Sequence, residues 1–225
     1  MEAQTLIAVC PPEYFPRLAY AARMQVADYF VLADTFQYSR QSYQNRTRIR
    51  NAQSWQWVSV PLKGGQHGRP QCTTRVRQES GWRTRHWKAF LFNYGATPFF
   101  DYFAPQLQVL FESEWHTLSR LTCRTAQLTH RWLEFSGSML LASELPGQPA
   151  CVRDVLDCLP TGTQVRAQGV PEPGARLELA YEHPQYRQAF TGFHAHMCAL
   201  DLLFNYGPDS ARILRTGSVL TEIPP

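Results

Sequence analysis

Lysine is almost absent from this chain of 225 residues: Lys63 and Lys88 are its two lysines, so arginine supplies nearly all of the positive charge. The net charge is only +4, from 22 basic and 18 acidic residues. A balance this mild does not favour binding of duplex nucleic acid. Arginine side chains fork onto phosphate and carboxylate groups, and an arginine cluster at residues 40–50 therefore suits one small anionic or phosphorylated ligand.

Paired cysteines and long apolar runs are also missing. The six cysteines are widely spread and form no Cys-x-x-Cys pair, so no zinc or disulfide framework is visible. No apolar run approaches the length of a membrane span, and the first residues lack the pattern of a secretory signal. We therefore expect a reduced, cytoplasmic protein without a metal site or a membrane span. The sequence names no cofactor and does not fix the oligomeric state.

Apolar residues make up 44% of the chain, which is enough for a substantial core. Residues 6–10 and 29–33 are short apolar runs typical of buried strands, and residues between them keep helical spacing after Pro16. This order predicts a β-α-β unit, whose crossover makes the two strands parallel. Its layout is similar to nucleotidyltransferase-type α/β folds, in which a short polar turn and a helix N-terminus hold nucleotide phosphates.

The remaining pattern predicts further strands at residues 55–62, 139–142 and 177–181, and a helix at 198–206. Residues 82–134 keep helical spacing and are expected to form a layer of helices. Residues 143–175 are rich in proline and glycine, with room for one small helix near 152–159. The prediction is a single α/β domain over residues 1–225, with a mostly parallel open sheet.

Residues 34–51 are the most distinctive stretch, because almost every side chain in it can donate or accept a hydrogen bond. As a helix it would have no apolar stripe to anchor it, and it follows directly after a predicted buried strand. Open α/β sheets bind ligands beyond the carboxyl ends of their strands. The stretch is therefore a candidate binding segment, and a solvated surface loop is the plainer alternative.

Several motifs in their chain order resemble the WbqC-like protein family. The resemblance covers most of residues 6–105 and 177–214. Its most specific pieces are Gln-Asn-Arg-x-Arg-Ile at residues 44–49 and Leu-Asp-Leu-Leu-Phe-Asn-x-Gly-Pro at residues 200–208. The supporting pieces are Pro12-x-Tyr14-x-Pro16, the Trp-Val-Ser-Val-Pro run at 57–61, Trp82-x-x-x-His86, Tyr94 and Pro98-Phe99.

The resemblance implies a bacterial protein acting on precursors of surface polysaccharide of the O-antigen (lipopolysaccharide) type. The reaction we hypothesise is transfer of an acyl or aminoacyl group to a nucleotide-linked sugar. The chain departs from the family at Cys10-Pro11, where members usually have His-Gln, and at Ala19, where they usually have glycine. It is also shorter at residues 143–175. These departures favour the alternative of a non-catalytic ligand-binding or assembly protein derived from such an enzyme.

The polar motif supplies most of the predicted ligand-binding residues. Gln44 and Asn45 carry amides suited to sugar hydroxyl groups, and Arg46 and Arg48 can bind phosphate or carboxylate. The alternative for each arginine is a structural salt bridge, for example with Asp34. We hypothesise that these four side chains line one cleft together with the turn at residues 12–16 and His86.

The other candidates come from single positions. Asp34 and His86 are the predicted catalytic residues: Asp34 could act as a general base or cap the next segment, and His86 could act in acid-base chemistry or be a structural histidine. Pro12 and Tyr14 are predicted to contact the ligand, with packing under the turn as the alternative for Tyr14. Asn205 is expected to face a backbone group or the site.

Three further patterns in the sequence support weaker interpretations. His183, at the end of a predicted strand, is a second possible acid-base group, whereas Cys10 ends an apolar strand and is a poor candidate nucleophile. Arginine, tyrosine and tryptophan interleave at residues 38–57, a pattern found in proteins that bind single-stranded nucleic acid. The small net charge argues against that function.

Overall fold

The core of the molecule is built on the predicted β-α-β unit. The computed structural model describes residues 5–170, 172 and 174–223. Strand β1 (Leu6–Cys10), helix α1 (Leu18–Val26) and strand β2 (Tyr29–Leu32) follow one another, and β1 pairs with β2 in parallel. This prediction is confirmed. The two strands are almost fully buried, as expected of a sheet covered on both faces.

The main sheet has six strands in the order β5-β2-β1-β6-β7-β8. The later strands are β5 (Ser138–Leu141), β6 (Thr163–Ala167), β7 (Leu177–Tyr181) and β8 (Ser218–Glu222). All pairs are parallel except β7 with β8, so the predicted mostly parallel sheet is confirmed. Strands β6 and β8 were not predicted. Residues 171 and 173 of the proline- and glycine-rich segment lie outside the described residues.

Helices cover both faces of the central strands. The remaining helices are α2 (Trp82–Tyr94), α3 (Phe100–Glu112), α4 (Leu118–Trp132), α5 (Val152–Asp157), α6 (Ala199–Tyr206) and α7 (Ser210–Thr216). Side chains of α1 and α4 pack on one face of β1 and β2, and side chains of α5 pack on the other. Helices α2, α3 and α4 confirm the helical layer predicted at residues 82–134.

Helix α6 is a core element, as its sequence indicates. Leu200, Leu203 and Phe204 are fully buried, and Phe204 packs against the rings of Phe90, Phe100 and Tyr94. No helix in the part of the chain that the structure describes is long and apolar enough to cross a membrane.

The polar segment at residues 34–51 is only partly a loop. Its last part forms strand β3 (Arg46–Arg50), which pairs antiparallel with β4 (Trp55–Ser59) in a hairpin separate from the main sheet. Thr47 and Ile49 are fully buried, so the strand anchors itself by alternate side chains. A helix here would have no apolar stripe, as the sequence indicates, and β3 is held instead by the alternation of its side chains.

The strand order fixes where a crevice can form. Starting from β1, the chain adds β2 and β5 on one side and β6, β7 and β8 on the other. In open α/β sheets the carboxyl ends of the strands at such a reversal bind ligands. The turn after β1, at residues 11–17, and the chain after β7 both leave this edge of the sheet.

Candidate functional site

The β3–β4 hairpin presents its arginines and tryptophans on one face. Arg48 pairs with Trp57 in the register, and side chains alternate between the two faces of a strand. Thr47 and Ile49 therefore enter the core while Arg46 and Arg48 remain half-buried on the opposite face. The Arg-x-Arg sequence of β3 and the Trp-x-Trp sequence of β4 thus place arginines and tryptophans side by side on one surface.

Guanidinium groups stack on aromatic rings along this surface, which we call the arginine–aromatic row. Arg46 Cζ lies 4.2 Å from the Trp57 ring centroid, and Arg48 Cζ lies 4.2 Å from that of Trp55. At the other end, Arg17 Cζ lies 4.0 Å from the Tyr43 ring. Stacking holds each guanidinium plane in place and leaves its N–H edge clear of the ring. Arg17 already donates from that edge to the Glu13 carboxylate. The row consists of Arg17, Tyr43, Arg46, Arg48, Trp55 and Trp57.

A cleft of about 770 Å³ opens beside Arg46, and we call it the basic cleft. Its walls are the loop before β3 and the glycine-containing loop after β4. Its basic lining residues are Arg40, Arg46, Lys63 and His67, and none of the lining residues that the structure describes is an aspartate or glutamate. A Cβ added at Gly64 or Gly65 would meet no atom within 4 Å, so the backbone of this loop is accessible to a ligand.

Backbone hydrogen bonds join the turn after β1 to the polar motif. Tyr14 N donates to the Tyr43 carbonyl at 3.0 Å, and Thr47 Oγ1 donates to the Phe15 carbonyl at 3.0 Å. The turn at residues 12–16 therefore lies beside the segment that carries Arg46. Neither this turn nor Arg48 lines the basic cleft, so the structure does not bring all the predicted residues together in it.

The side chains of Tyr14 and His86 point away from the cleft into the core. The Tyr14 hydroxyl and His86 Nδ1 are 2.8 Å apart, and the two residues are 0% and 6% exposed. Burial lowers the pKa of His86 to about 4, and a backbone hydrogen bond with Ser59 offsets only part of that effect. His86 is thus neutral at neutral pH and packs against Trp82 and Phe111. Its catalytic role remains a prediction.

The amides of Gln44 and Asn45 are used within the protein. Gln44 Oε1 accepts from Ser39 N at 3.0 Å. Asn45 accepts from the Tyr38 hydroxyl and donates to the Val60 carbonyl, both at 3.0 Å, and so ties together the two walls of the basic cleft. Asn45 and Arg46 line the cleft, whereas Gln44 is buried beneath its rim.

The sequence matches a known protein family. The model of the WbqC-like protein family matches residues 11–164 and 172–213. The chain belongs to the WbqC-like protein family. It is 27% identical over 226 residues to "Uncharacterized protein Rv1507c" of Mycobacterium tuberculosis (strain ATCC 25618 / H37Rv), a match covering 93% of this chain and 97% of that protein. No solved structure matches the chain significantly, so the likeness to nucleotidyltransferase folds remains a prediction.

The WbqC-like match begins at residue 11, directly after Cys10. Cys10 is 2% exposed, and burial raises the pKa of its thiol to about 12. A thiol that stays protonated is a poor nucleophile. Pro12 is also buried, and its carbonyl accepts from Gln71 Nε2 at 3.0 Å, so it braces the turn.

The other two predicted site residues lie apart from the basic cleft. Asp34 is 3% exposed, and its Oδ1 accepts from Ser143 N at 2.9 Å, which joins the end of β2 to the turn after β5. It lines a separate cavity of about 580 Å³. Asn205 donates to the Asp201 carbonyl at 2.6 Å and lines a third cavity, of about 500 Å³. The expected backbone contact of Asn205 is therefore confirmed.

The sequence does not predict the buried hydrogen-bond network around Asp201, which lies in the motif at residues 200–208. Its carboxylate accepts from the hydroxyls of Tyr94 and Tyr186 at 3.0 and 2.7 Å and from Gln188 Nε2 at 2.9 Å. Burial raises the pKa of Asp201 to about 6, against the opposing effect of these donors and of Arg50. The signal for this network in the sequence is an aspartate that stands between two leucines of an otherwise apolar helix.

Arg50 is the second missed residue. It is 1% exposed, and its guanidinium donates to the Asn51 carbonyl at 2.8 Å and to the Thr191 carbonyl at 2.9 Å. Because these acceptors are backbone groups, Arg50 anchors the loop before α6 to the hairpin and is not free to bind a ligand. In residues 5–170, 172 and 174–223, no group of three histidine, cysteine, aspartate or glutamate side chains could hold a metal ion.

Proposed function

We propose that this chain acts in the biosynthesis of bacterial surface-polysaccharide precursors and that its basic cleft binds an anionic, nucleotide-linked sugar. The pathway is suggested by the resemblance to WbqC-like proteins. The observation that supports the ligand class is the lining of the basic cleft, where Arg40, Arg46, Lys63 and His67 meet no acidic residue. Such a one-sided charge attracts a phosphorylated ligand and holds it through charge-assisted hydrogen bonds.

Arg46 is the residue best placed to bind a phosphate group. Its Nη2 donates to the Gln41 carbonyl at 2.5 Å, and its plane is stacked on Trp57. The guanidinium is thus fixed before a ligand arrives, and preorganisation reduces the entropy lost on binding. The accessible backbone at Gly64 and Gly65 can approach a phosphate closely, and Tyr38 lines the same cleft.

The test is calorimetric titration with uridine diphosphate glucose as the probe. One charge-assisted contact contributes about 1.5–3 kcal/mol, so Arg46→Ala should weaken binding about tenfold or more. Arg46→Lys should restore only part of the affinity, because lysine lacks the planar fork. Arg153→Ala, at an exposed position of α5, is the matched control. If Arg46→Ala binds the nucleotide sugar as tightly as the control does, the basic cleft is not the site.

We further propose that the reaction, where one occurs, is transfer of an acyl or aminoacyl group to the bound sugar by one cytoplasmic domain. Mass spectrometry of the nucleotide sugar after incubation with acetyl-coenzyme A would detect the added group.

A non-catalytic binding protein is the second candidate, and two observations favour it. The Cys10 thiol is buried, and the predicted catalytic His86 is enclosed by Tyr14, Trp82 and Phe111. Binding of the nucleotide sugar without transfer from acetyl-coenzyme A, aminoacyl-tRNA or any other acyl donor tried would support this candidate.

A further inference from the structure

Two histidines meet at the carboxyl edge of the main sheet. His183 follows β7 and His196 precedes α6, and their ring centroids are 4.2 Å apart with the planes at 73°. His196 has a φ of +66°, a left-handed conformation that is uncommon for a residue with a side chain. Residues in such conformations cluster at functional sites, where the surrounding structure enforces them.

Neighbouring backbone bonds hold His196 in this position. Cys198 N donates to the Arg48 carbonyl at 3.0 Å, and Ala199 N donates to the Pro16 carbonyl at 2.8 Å. The segment that follows His196 is thereby tied to β3 and to the turn after β1. The histidine pair lies where these two elements meet the end of β7.

Two arginines of the arginine–aromatic row act electrostatically on the pair. The charges of Arg48 and Arg17 lower the pKa of His196, after the larger effect of burial. Burial, His196 and Arg17 lower the pKa of His183 to about 4. Glu13 is held by Arg17 in a salt bridge of 2.6 Å, and the Tyr181 ring lies 5.0 Å from that of His183. Glu182, an exposed carboxylate, precedes His183 in the chain.

The charge of Arg17 is balanced by its salt bridge to Glu13, so the unpaired groups of the cluster belong to Arg48 and His183. His183 Nδ1 and Arg48 Nε are buried and have no hydrogen-bond partner among the described residues. A buried polar atom without a partner costs free energy that a ligand can recover. Arg48 is fixed by stacking on Trp55, 4.2 Å away, and Arg17 by stacking on Tyr43.

We propose that Arg17, Arg48, His183 and His196 form a binding site for a phosphoryl group and that His183 takes up a proton when the anion binds. The proton comes from solvent and is held on an imidazole nitrogen, so no covalent bond forms or breaks. A dianion beside His183 offsets the repulsion from Arg17 and His196, which favours the imidazolium form. The site shares none of the four basic side chains of the basic cleft and does not depend on the function proposed for that cleft.

The strand topology gives independent support for the location. Arg17 lies in the turn after β1, and His183 follows β7, on the far side of β6. The sheet order reverses between β1 and β6, and ligands of open α/β sheets bind outside the carboxyl ends of the strands at this reversal.

The experiment is calorimetric titration with sulfate, a tetrahedral dianion that does not itself take up protons near neutral pH. Titration at pH 6 in two buffers of different ionisation enthalpy counts the protons taken up on binding. We expect proton uptake by the unsubstituted protein and about tenfold weaker binding in Arg48→Ala. His183→Gln should abolish the proton uptake, whereas His116→Gln, the matched control, should change neither quantity.

Inorganic phosphate and acetate distinguish the kinds of anion: phosphate should bind as sulfate does, and acetate, which is planar and carries one charge, should bind more weakly. His196→Asn keeps a residue that tolerates the left-handed conformation, so its fold should survive while sulfate affinity falls. Unchanged proton uptake in His183→Gln would overturn the proposal, as would acetate binding as tightly as sulfate. Weaker sulfate binding in Arg46→Ala with unchanged binding in Arg48→Ala would place the anion in the basic cleft instead and would also overturn it.

Discussion

The buried pair of Tyr14 and His86 makes a quantitative prediction about stability at acid pH. The pKa of His86 is about 4 in the folded protein and 6.5 for an unperturbed histidine. The unfolded chain therefore binds more protons than the folded protein between these values. A depressed pKa contributes stability that is present above the unfolded value and is lost as the pH falls through the folded one.

The size of this contribution follows from the two pKa values. Each pKa unit corresponds to 1.36 kcal/mol, so the difference between 6.5 and about 4 amounts to about 3 kcal/mol. His86 is only 6% exposed, so solvent screening reduces this figure little. We expect the wild-type protein to lose about 3 kcal/mol through His86 between pH 7 and pH 4.

The perturbation is the double substitution Tyr14→Phe and His86→Phe. It keeps aromatic packing against Trp82 and Phe111 and removes both partners of the 2.8 Å hydrogen bond, so no buried polar atom of this pair is left unpaired. Urea unfolding at several pH values between 4 and 7 gives the free energy of unfolding of each protein. Wild type should lose about 3 kcal/mol more than the double variant over this interval.

His183, whose pKa is also lowered, is present in both proteins and cancels in the comparison. If the free energies of unfolding of the two proteins depend on pH in parallel, His86 is not buried as a neutral group and the reasoning is refuted.

Two further predictions concern helix α6. Leu203 is fully buried, so Leu203→Ala should lower the free energy of unfolding by about 2–5 kcal/mol in a urea melt, and a loss well under about 1 kcal/mol would make α6 peripheral. The pKa of Asp201 is raised from 3.8 to about 6. Its contribution to the free energy of unfolding is therefore fully present below pH 3.8 and is lost as the pH rises through 6. The loss amounts to about 3 kcal/mol. Asp201→Asn should remove this loss, so wild type should exceed the variant in stability by more at pH 4 than at pH 7.5; an equal difference at the two pH values would contradict the assignment.

The first half of the fold is predictable from local pattern. The strands β1 and β2 are short apolar runs and the helices α2 to α4 keep their spacing over many turns, so each element is visible in its own residues. Strand β6 is not visible in this way. Its Thr-Gln-Val-Arg-Ala sequence is apolar only at Val165 and Ala167, and it is a strand because β1 and β7 flank it.

The candidate site was predictable in its residue types and not in its geometry. The chemistry of the guanidinium group predicts that Arg46 and Arg48 bind a ligand. Their stacking on Trp57 and Trp55 depends on the register of β3 with β4, which the sequence does not show. The contact of His183 with His196 depends on two loops that meet only in the folded protein, and no spacing rule connects them.

The position of β1 between β2 and β6 also has a consequence for biosynthesis. One neighbour of β1 is β2, which is the next strand in the chain. The other neighbour is β6, whose Thr163 pairs with Leu6, and the ribosome makes Thr163 157 residues after Leu6. Throughout that interval an edge of the central strand has no partner, and unpaired strand edges of nascent chains promote aggregation. Closing so long a loop also slows folding. We therefore expect the newly made chain to depend on chaperones until β6 emerges and completes the centre of the sheet.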